Sequence, residues 1–344
     1  MPDPVLQVED LTISFSSGAT SFDVVRDLSV TLDGGRTLAV VGESGSGKTI
    51  TGRAIMQLLP RGASARGRIV VAGRDMLGAD ERSLRRARGA DVSMVFQDSM
   101  SALSPYLDIG GHIAQAIRLH DPSVSRRAGR ARAAEMLERV GIPDPGHAVR
   151  RFPHEFSGGM RQRAVIAMAL VNRPALLIAD EPTTALDVTV QAQILALLRE
   201  LQQEYGMAML LISHDFGVVA SAADDVLVLY AGREAEYGSL RDIFEEPAHP
   251  YTAGLRAATP RLDARLDHGG ERTRLRAIPG APTSLRDAGA GCAFAPRCGL
   301  TDRVGERCRV EIPLPAPRPS GAAGGVHRAA CHLDRLPSLP EVGR

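Results

Sequence analysis

Tryptophan is absent from this 344-residue chain, and aromatic residues make up only 4% of it. Proteins that hold single-stranded nucleic acid stack bases on aromatic side chains, and few are available here. The formal net charge is +1, so the chain also lacks the strong positive charge with which proteins grip DNA, RNA or anionic lipid. We therefore expect no nucleic-acid partner.

Long apolar runs are missing as well. The longest candidates, such as residues 164–171, fall short of the roughly 18 residues needed to span a bilayer and are typical of core segments. The first residues, Met-Pro-Asp-Pro, lack the basic and then apolar pattern of a secretory signal. We expect a cytoplasmic protein that reaches a membrane only through a partner.

Lysine is nearly absent. Of the 41 lysine and arginine residues only one, Lys48, is a lysine. Arginine cannot replace lysine where a compact ammonium group on a flexible stem is required. Position 48 is therefore expected to perform a specific chemical task.

Short apolar runs alternate with helical patterns along the chain. The apolar runs predict strands at residues 38–41, 69–71, 92–96, 176–179, 209–212 and 226–229. The helical patterns cover residues 48–59, 126–140, 160–171 and 188–204. Strands that alternate with helices predict an α/β fold with a mostly parallel sheet.

Two stretches depart from this alternation. Strand patterns vanish between about residues 100 and 156, which predicts an inserted helical subdomain. After residue 245 proline and glycine become frequent and the periodicity weakens. We therefore predict a core of residues 1–99 and 165–245, a helical subdomain of residues 100–164, and a C-terminal extension of residues 246–344.

Residues 42–49 fit the pattern G-x-x-x-x-G-K-[ST], after a predicted strand and before a predicted helix. They are Gly42, Glu43, Ser44, Gly45, Ser46, Gly47, Lys48 and Thr49. Glycines let backbone N–H groups surround phosphate oxygens, and the helix N-terminus adds a favourable dipole. Lys48 would reach the β- and γ-phosphates of a nucleotide, and the Thr49 hydroxyl would bind Mg²⁺. The loop predicts a P-loop NTPase of RecA-like fold but does not choose among kinases, GTPases and ATPases.

Three other predicted strands end in polar side chains. Asp180 and Glu181 follow the strand at 176–179, where Asp180 could hold Mg²⁺ and Glu181 could act as the base that polarises the attacking water. His214 follows the strand at 209–212 and could donate to the γ-phosphate. Gln97 follows the strand at 92–96, where its amide could contact Mg²⁺ or the water.

A second anion site is predicted at the start of another helix. Ser157, Gly158 and Gly159 are small residues that leave backbone N–H groups free to meet an anion. Since the P-loop already holds one end of the phosphates, the second site implies that the γ-phosphate is gripped from another subunit. ATP would then close a dimer.

With these motifs in this order, the sequence resembles the ATP-binding subunits of ABC transporters over about residues 5–335. Residues 156–160 look like the signature motif, with phenylalanine where leucine is commoner, and His214 looks like the switch histidine. Gln97 is similar to the Q-loop glutamine, and residues 185–187, which end in Asp187, to the D-loop. The resemblance also implies an aromatic ring that stacks on adenine, either Phe15 or Phe22.

Finer features resemble the dipeptide and oligopeptide importer branch, over residues 42–48, 153–163, 179–195 and 249–252. That resemblance implies a second ATPase subunit, usually a paralogue, two membrane permease subunits, and an extracytoplasmic solute-binding protein. The chain would then sit on the cytoplasmic face of the cell membrane. Ser99 and Ser104 stand where the branch usually has proline and asparagine.

Two alternatives remain open at this point. Importers for other solutes, such as nickel or glutathione, share the same motifs. A soluble ABC ATPase that acts on ribosomes or DNA would carry two cassettes or a long coiled coil, and neither pattern is found in the sequence.

All four cysteines lie in the predicted extension: Cys292, Cys298, Cys308 and Cys331. In a cytosolic chain such clustering favours a metal site over disulfides. The spacing is looser than that of a zinc finger, yet four thiolates suffice for a [4Fe–4S] cluster. Residues 291–298 resemble the tails of the peptide-importer branch, which implies such a cluster. Zinc, free thiols and a disulfide remain alternatives.

Overall fold

The computed structural model describes residues 3–17, 20–98, 102–184, 186–259, 277–285, 289–321 and 325–337, apart from the side chains of residues 17 and 20. Its strands are β1 (Leu6–Ser17), β2 (Thr20–Leu32), β3 (Thr37–Val41), β4 (Ala63–Val71), β5 (Arg74–Asp75), β6 (Val92–Val95), β7 (Leu176–Asp180), β8 (Ala208–Ile212), β9 (Asp225–Tyr230), β10 (Arg233–Ser239), β11 (Ala316–Pro317) and β12 (Arg328–Ala329).

The α-helices are α1 (Lys48–Ile55), α2 (Glu81–Ala87), α3 (Ile109–His120), α4 (Arg126–Arg139), α5 (Pro145–Ala148), α6 (Gly158–Leu170), α7 (Val188–Tyr205), α8 (Phe216–Ala222), α9 (Leu240–Glu245), α10 (Pro250–Ala258), α11 (Thr301–Val304) and α12 (Arg307–Val310). Single 3₁₀ turns cover Pro153–Glu155 and Ala295–Arg297. Over the described ranges, no helix combines the length and apolar character needed to cross a bilayer.

The larger sheet has the strand order β11-β12-β10-β9-β3-β8-β7-β6. The strands from β9 to β6 pair in parallel, and the strands from β10 outward are antiparallel. Alternate residues of one strand face opposite cores: Leu38 and Val40 pack on one side, Ala39 and Val41 on the other. Burial on both faces explains the continuous apolar runs, so the α/β fold with a mostly parallel sheet is confirmed.

The N-terminal strands were not predicted. β1, β2, β4 and β5 form a separate antiparallel sheet, so the strand predicted at residues 69–71 does not join the parallel sheet. In β1 the apolar alternation runs through Leu6 and Val8, breaks at Asp10, and resumes at Leu11 and Ile13. Asp10 has φ 48° and lies where the pairing register shifts. This bulge shifts the apolar alternation by one residue. The sequence of β1 therefore lacks the continuous alternation that is typical of a strand.

Helices follow β6, as the sequence predicts. The described residues from 102 to 175 contain α3 to α6 and no strand. α6 crosses positions 164 and 165 without a break. The apolar residues of α6 pack in one core with those of α3, α4 and α7.

Buried polar contacts attach the C-terminal extension to the larger sheet. The Glu236 carboxylate is fully buried and accepts hydrogen bonds from Ala248 N (2.7 Å) and His249 N (3.0 Å). His327 Nε2 lies 2.8 Å from the same carboxylate, and its Nδ1 lies 2.7 Å from Pro319 O. Burial alone would lower the pKa of His327, but these two acceptors outweigh it and raise the pKa. Burial lowers the pKa of His249 to about 4.

The two histidines predict opposite pH dependences of stability. The raised pKa of His327 gives stability that is complete below about pH 6.5 and is lost as the pH rises through the folded-state value. The lowered pKa of His249 costs stability as the pH falls from 6.5 towards 4. In urea unfolding from pH 6 to pH 9, His327→Gln should lose less stability than the wild type does. The exposed His154→Gln should follow the wild type, and a pH-independent effect of His327→Gln would contradict the prediction.

Candidate nucleotide site

Glycine is required where the loop leaves β3 and enters α1. Gly42 has φ 151°, and a Cβ atom there would lie 2.2 Å from Leu229 O. Gly47 has φ 104°, and a Cβ atom there would lie 2.9 Å from Val25 Cγ2. Neither position accepts a side chain, so the loop between them stays tightly curved against its neighbours.

Lys48 begins α1 and lies almost entirely inside, with 7% of its surface exposed. Its Nζ donates to Gly42 O at 2.7 Å and to Glu43 O at 2.9 Å. Burial lowers the pKa of Lys48, although the nearby carboxylates of Glu181 and Asp180 oppose that change. The side chain is therefore folded back over the loop, where its ammonium group can meet phosphate oxygens.

Asp180 ends β7 and is 1% exposed. Its Oδ1 accepts a hydrogen bond from Thr49 Oγ1 at 3.0 Å, which joins the end of β7 to the first turn of α1. Burial raises the pKa of Asp180, the Thr49 hydrogen bond opposes this, and the charge of Glu181 adds to it. A carboxylate and a hydroxyl oxygen this close form a donor set that fits Mg²⁺.

Glu181 is held in a conformation that is rare for glutamate, with φ 48°. Its carboxylate accepts hydrogen bonds from Gln97 Nε2 at 2.9 Å and Thr184 Oγ1 at 3.0 Å, and lies 2.9 Å from His214 Nδ1. Burial would raise the pKa of Glu181, but the hydrogen bonds from His214 and Thr184 outweigh it and lower the pKa. The group stays an anion that can accept a hydrogen bond from water.

The structure thus brings together the residues predicted at the strand ends. Lys48, Thr49, Gln97, Glu181 and His214 line one cavity of about 700 Å³, a size that suits a nucleotide. Their strands are neighbours in the parallel sheet, and carboxyl ends of parallel strands meet at one edge.

The cavity continues to an apolar side lined by Phe15, Val24 and Leu285. The Phe15 ring stacks on that of Phe22, with centroids 6.1 Å apart. Of the two aromatic candidates for the adenine side, Phe15 lines the cavity itself.

The residues predicted to form a second anion site lie apart from this cavity. Ser157 caps α6 and accepts from Met160 N at 3.3 Å, and Ser157, Gly158 and Asp187 are exposed. Asp187 caps α7, accepting from Val190 N at 2.9 Å. Among the described residues that line the cavity, none belongs to 157–159 or is Asp187. Ser99 and Ala185 lie outside the described residues.

The four cysteines lie in the extension, and none of them forms a disulfide. Cys292, Cys298 and Cys308 line a common cavity, and Cys292 N donates to Cys308 O at 2.8 Å. Burial raises the pKa of Cys292 to about 11, and the charges of Cys308 and Cys331 add to the rise. The donor set suits a soft metal. Within the part of the chain that the structure describes, however, no three such side chains lie close enough to form a metal site.

Sequence reasoning missed several residues of the site. Thr184 lies three residues after Glu181 and donates to its carboxylate, so its closeness in sequence was an available signal. Arg297 and Tyr251 contact Glu43 from positions distant in sequence, and Leu285 reaches the cavity from the extension. No local pattern predicts these contacts.

Fold and site together define an ATP-binding cassette of the P-loop type. The ABC transporter family matches residues 25–184, and the oligopeptide/dipeptide transporter C-terminal region matches residues 235–304. A dimeric solved structure of the ATP-binding cassette MJ0796, bound to ADP and Pi, is similar with a TM-score of 0.61. It is 25% identical and covers 69% of this chain and 99% of its own length.

Curated relatives are more similar in sequence. The Bacillus subtilis dipeptide transport ATP-binding protein DppD is 48% identical over 86% of this chain and 87% of its own length. A putative peptide import ATP-binding protein of Brucella abortus is 46% identical over 90% of this chain and 93% of its own length. The Mycobacterium tuberculosis oligopeptide transport ATP-binding protein OppD is 48% identical over 86% of this chain, which spans only 48% of that relative. The chain belongs to the ABC transporter ATP-binding proteins, in the branch that carries the oligopeptide/dipeptide C-terminal region.

Proposed function

We propose that the chain is the subunit that binds and hydrolyses ATP to energise an ABC importer of dipeptides or oligopeptides. The observation that carries the proposal is the cavity in which Lys48, Thr49, Glu181 and His214 converge, together with the match of residues 235–304 to the peptide-transporter C-terminal region. The relatives named for peptide transport support the choice of solute.

The roles of the site residues follow from their positions. Lys48 and the loop residues 42–47 would hold the β- and γ-phosphates, and Phe15 would stack on adenine. Thr49 and Asp180 would hold Mg²⁺, with Gln97 able to reach it or the water. When bound, this ion neutralises charge on the phosphate oxygens. Glu181 would orient the attacking water, and His214 would donate to the γ-phosphate.

A second ATPase subunit would complete each site. Ser157 and Asp187 are exposed and lie outside the cavity of their own chain, as groups that act on a partner's nucleotide should. Residues 157–159 of one subunit would then close over the γ-phosphate held by the other. We propose that the partner is a paralogue.

The remaining partners follow from the same proposal. Two membrane permease subunits would hold the chain peripherally at the cytoplasmic face of the membrane, and an extracytoplasmic binding protein would deliver the solute. The chain would divide into an ATPase core (1–99 and 165–245), a helical subdomain (100–164) that meets the permeases, and the C-terminal extension (246–344).

Reconstitution tests this proposal. The chain, co-expressed with the permease and ATPase genes beside its own, should co-purify with both permeases from detergent. ATP hydrolysis in proteoliposomes should rise when peptide-loaded binding protein is added. Stimulation by nickel or glutathione instead of peptides would contradict the solute, and failure to associate with any permease would contradict the transport role.

We also propose that Cys292, Cys298, Cys308 and Cys331 bind a [4Fe–4S] cluster, with Zn²⁺ as the alternative. The support is the four-thiol donor set and the shared cavity of three of the cysteines. The cysteines would have to move closer together, since the described side chains do not already form a metal site.

Anaerobic purification tests the cluster. The protein should contain about four iron atoms per chain and absorb broadly near 400 nm. Cys308→Ser should lose both signals, while Thr301→Val, beside the same cavity, should keep them. One zinc per chain without absorption would favour zinc, and neither metal would contradict the proposal.

A further inference from the structure

Glu43, the second residue of the P-loop, is tied to the C-terminal extension through both its backbone and its side chain. Its N–H donates to Tyr251 Oη at 2.8 Å, and Tyr251 is fully buried. Its carboxylate accepts from Arg297 Nη1 at 2.6 Å and from Arg297 Nη2 at 3.0 Å. The loop that surrounds the phosphates is therefore fixed in part by residues more than 200 positions away.

Arg297 is built into this contact. Its side chain is 4% exposed, and its Nε donates to Pro279 O at 2.9 Å. Nη1 also lies 3.3 Å from Tyr230 Oη. Both ends of the guanidinium are thus used, and the planar two-pronged pair with Glu43 fixes the direction of the carboxylate as well as its distance.

The contact continues to the phosphate-binding lysine. Glu43 O accepts from Lys48 Nζ at 2.9 Å, so the residue that Arg297 holds in turn helps to place the ammonium group. On its other side, Arg297 ends the turn Ala295–Arg297 and directly precedes Cys298. A continuous series of contacts therefore joins residues 292–308, here called the cysteine segment, to the nucleotide site.

A second contact reaches the far side of the same cavity. Leu285, which also belongs to the extension, lines the cavity together with Phe15 and Val24. Its carbonyl accepts from Arg26 Nη2 at 3.3 Å, which fixes the segment against β2. The extension thus contributes at both the phosphate side and the apolar side.

We propose that Arg297 is a positioning residue for the P-loop and that, through Glu43, it makes ATP affinity depend on the placement of the cysteine segment. The proposal rests on the ATP-binding function proposed above. It assigns the extension a role in nucleotide binding in addition to the metal binding proposed for its cysteines.

The test measures ATP affinity and hydrolysis kinetics in the assembled transporter. Arg297→Gln should raise the Kd and KM for Mg·ATP about tenfold, within the range usual for coupling between sites, while kcat changes less than about twofold. Arg297→Lys keeps the positive charge but cannot form the two-pronged pair with Glu43. Its Kd for Mg·ATP should therefore lie between those of the wild type and Arg297→Gln. Glu43→Gln and the double variant should show effects that are less than additive.

Arg328→Gln is the matched control. Arg328 also forms a two-pronged pair from the extension, with Glu234, and also binds the core at Ser29 O. Among the described residues, its hydrogen-bond partners do not belong to the P-loop. Thermal unfolding should show a loss of stability for both variants. The Kd for Mg·ATP should rise only in Arg297→Gln. Equal effects on Kd would mean a purely structural role and would overturn the proposal. If Arg297→Gln does not fold, Arg297→Lys and Glu43→Gln carry the same comparison. Failure of the wild type to bind ATP would instead overturn the proposed function.

Discussion

Replacing Lys48 with alanine is expected to abolish ATP hydrolysis, lowering kcat by about 10³-fold or more. The chain contains no second lysine that could move into the loop. Arg53 lines the same cavity, but its planar guanidinium cannot take the place of a compact ammonium group folded over the loop. Phosphate release by the assembled transporter measures the effect.

Lys48→Arg separates charge from shape. It keeps the positive charge, yet the site that encloses Lys48 leaves only 7% of the residue exposed, so the larger group should restore little activity. Because Lys48 is the only lysine, acetylation of side-chain amines reports on this site alone, and saturating ATP should slow it. A Lys48→Ala variant that folds as the wild type does and keeps a tenth of its activity would contradict the assigned role.

The convergence of Lys48, Asp180, Glu181 and His214 could be predicted from the sequence because each residue lies at or after the end of a strand of one parallel sheet. Each residue follows an apolar run, the runs are typical of buried strands, and parallel strands end at a common edge. Gln97 was found by the same rule. The residues converge because the strands that carry or precede them are neighbours in the parallel sheet, and the separate N-terminal sheet does not change that order.

The contacts that could not be predicted depend on tertiary placement. Glu43 and Arg297 are 254 residues apart, and neither stands in a pattern that names the other. The bulge at Asp10 moved the apolar alternation of β1, so the N-terminal sheet escaped detection. The clustering of the cysteines predicts a metal site, but the described side chains do not form one, and the spacing does not identify a metal. For the contact between Glu43 and Arg297, the missing information is the position of one segment against another.

Glu181→Gln is expected to stop hydrolysis while leaving ATP bound. The amide has nearly the same shape as the carboxylate, and its oxygen can still accept from Thr184 Oγ1, which lies 3.0 Å away. The amide cannot accept a proton from water, so kcat should fall by about 10²-fold or more, as expected when a general base is lost. With hydrolysis blocked, two ATPase subunits should stay closed over ATP, and radiolabelled ATP should co-elute with the complex in gel filtration.

Two further variants show whether trapping arises from a shared site. Glu200→Gln alters an exposed residue of α7 and should hydrolyse ATP as the wild type does. Adding Ser157→Arg to Glu181→Gln places a large side chain at the exposed start of α6. This helix is 13 residues long and is capped by Ser157. If residues 157–159 close over the partner's γ-phosphate, this double variant should bind ATP within each subunit but release it during gel filtration. Retention of ATP by the double variant would mean that the nucleotide is enclosed within one chain. Full hydrolysis by Glu181→Gln would instead remove Glu181 as the base.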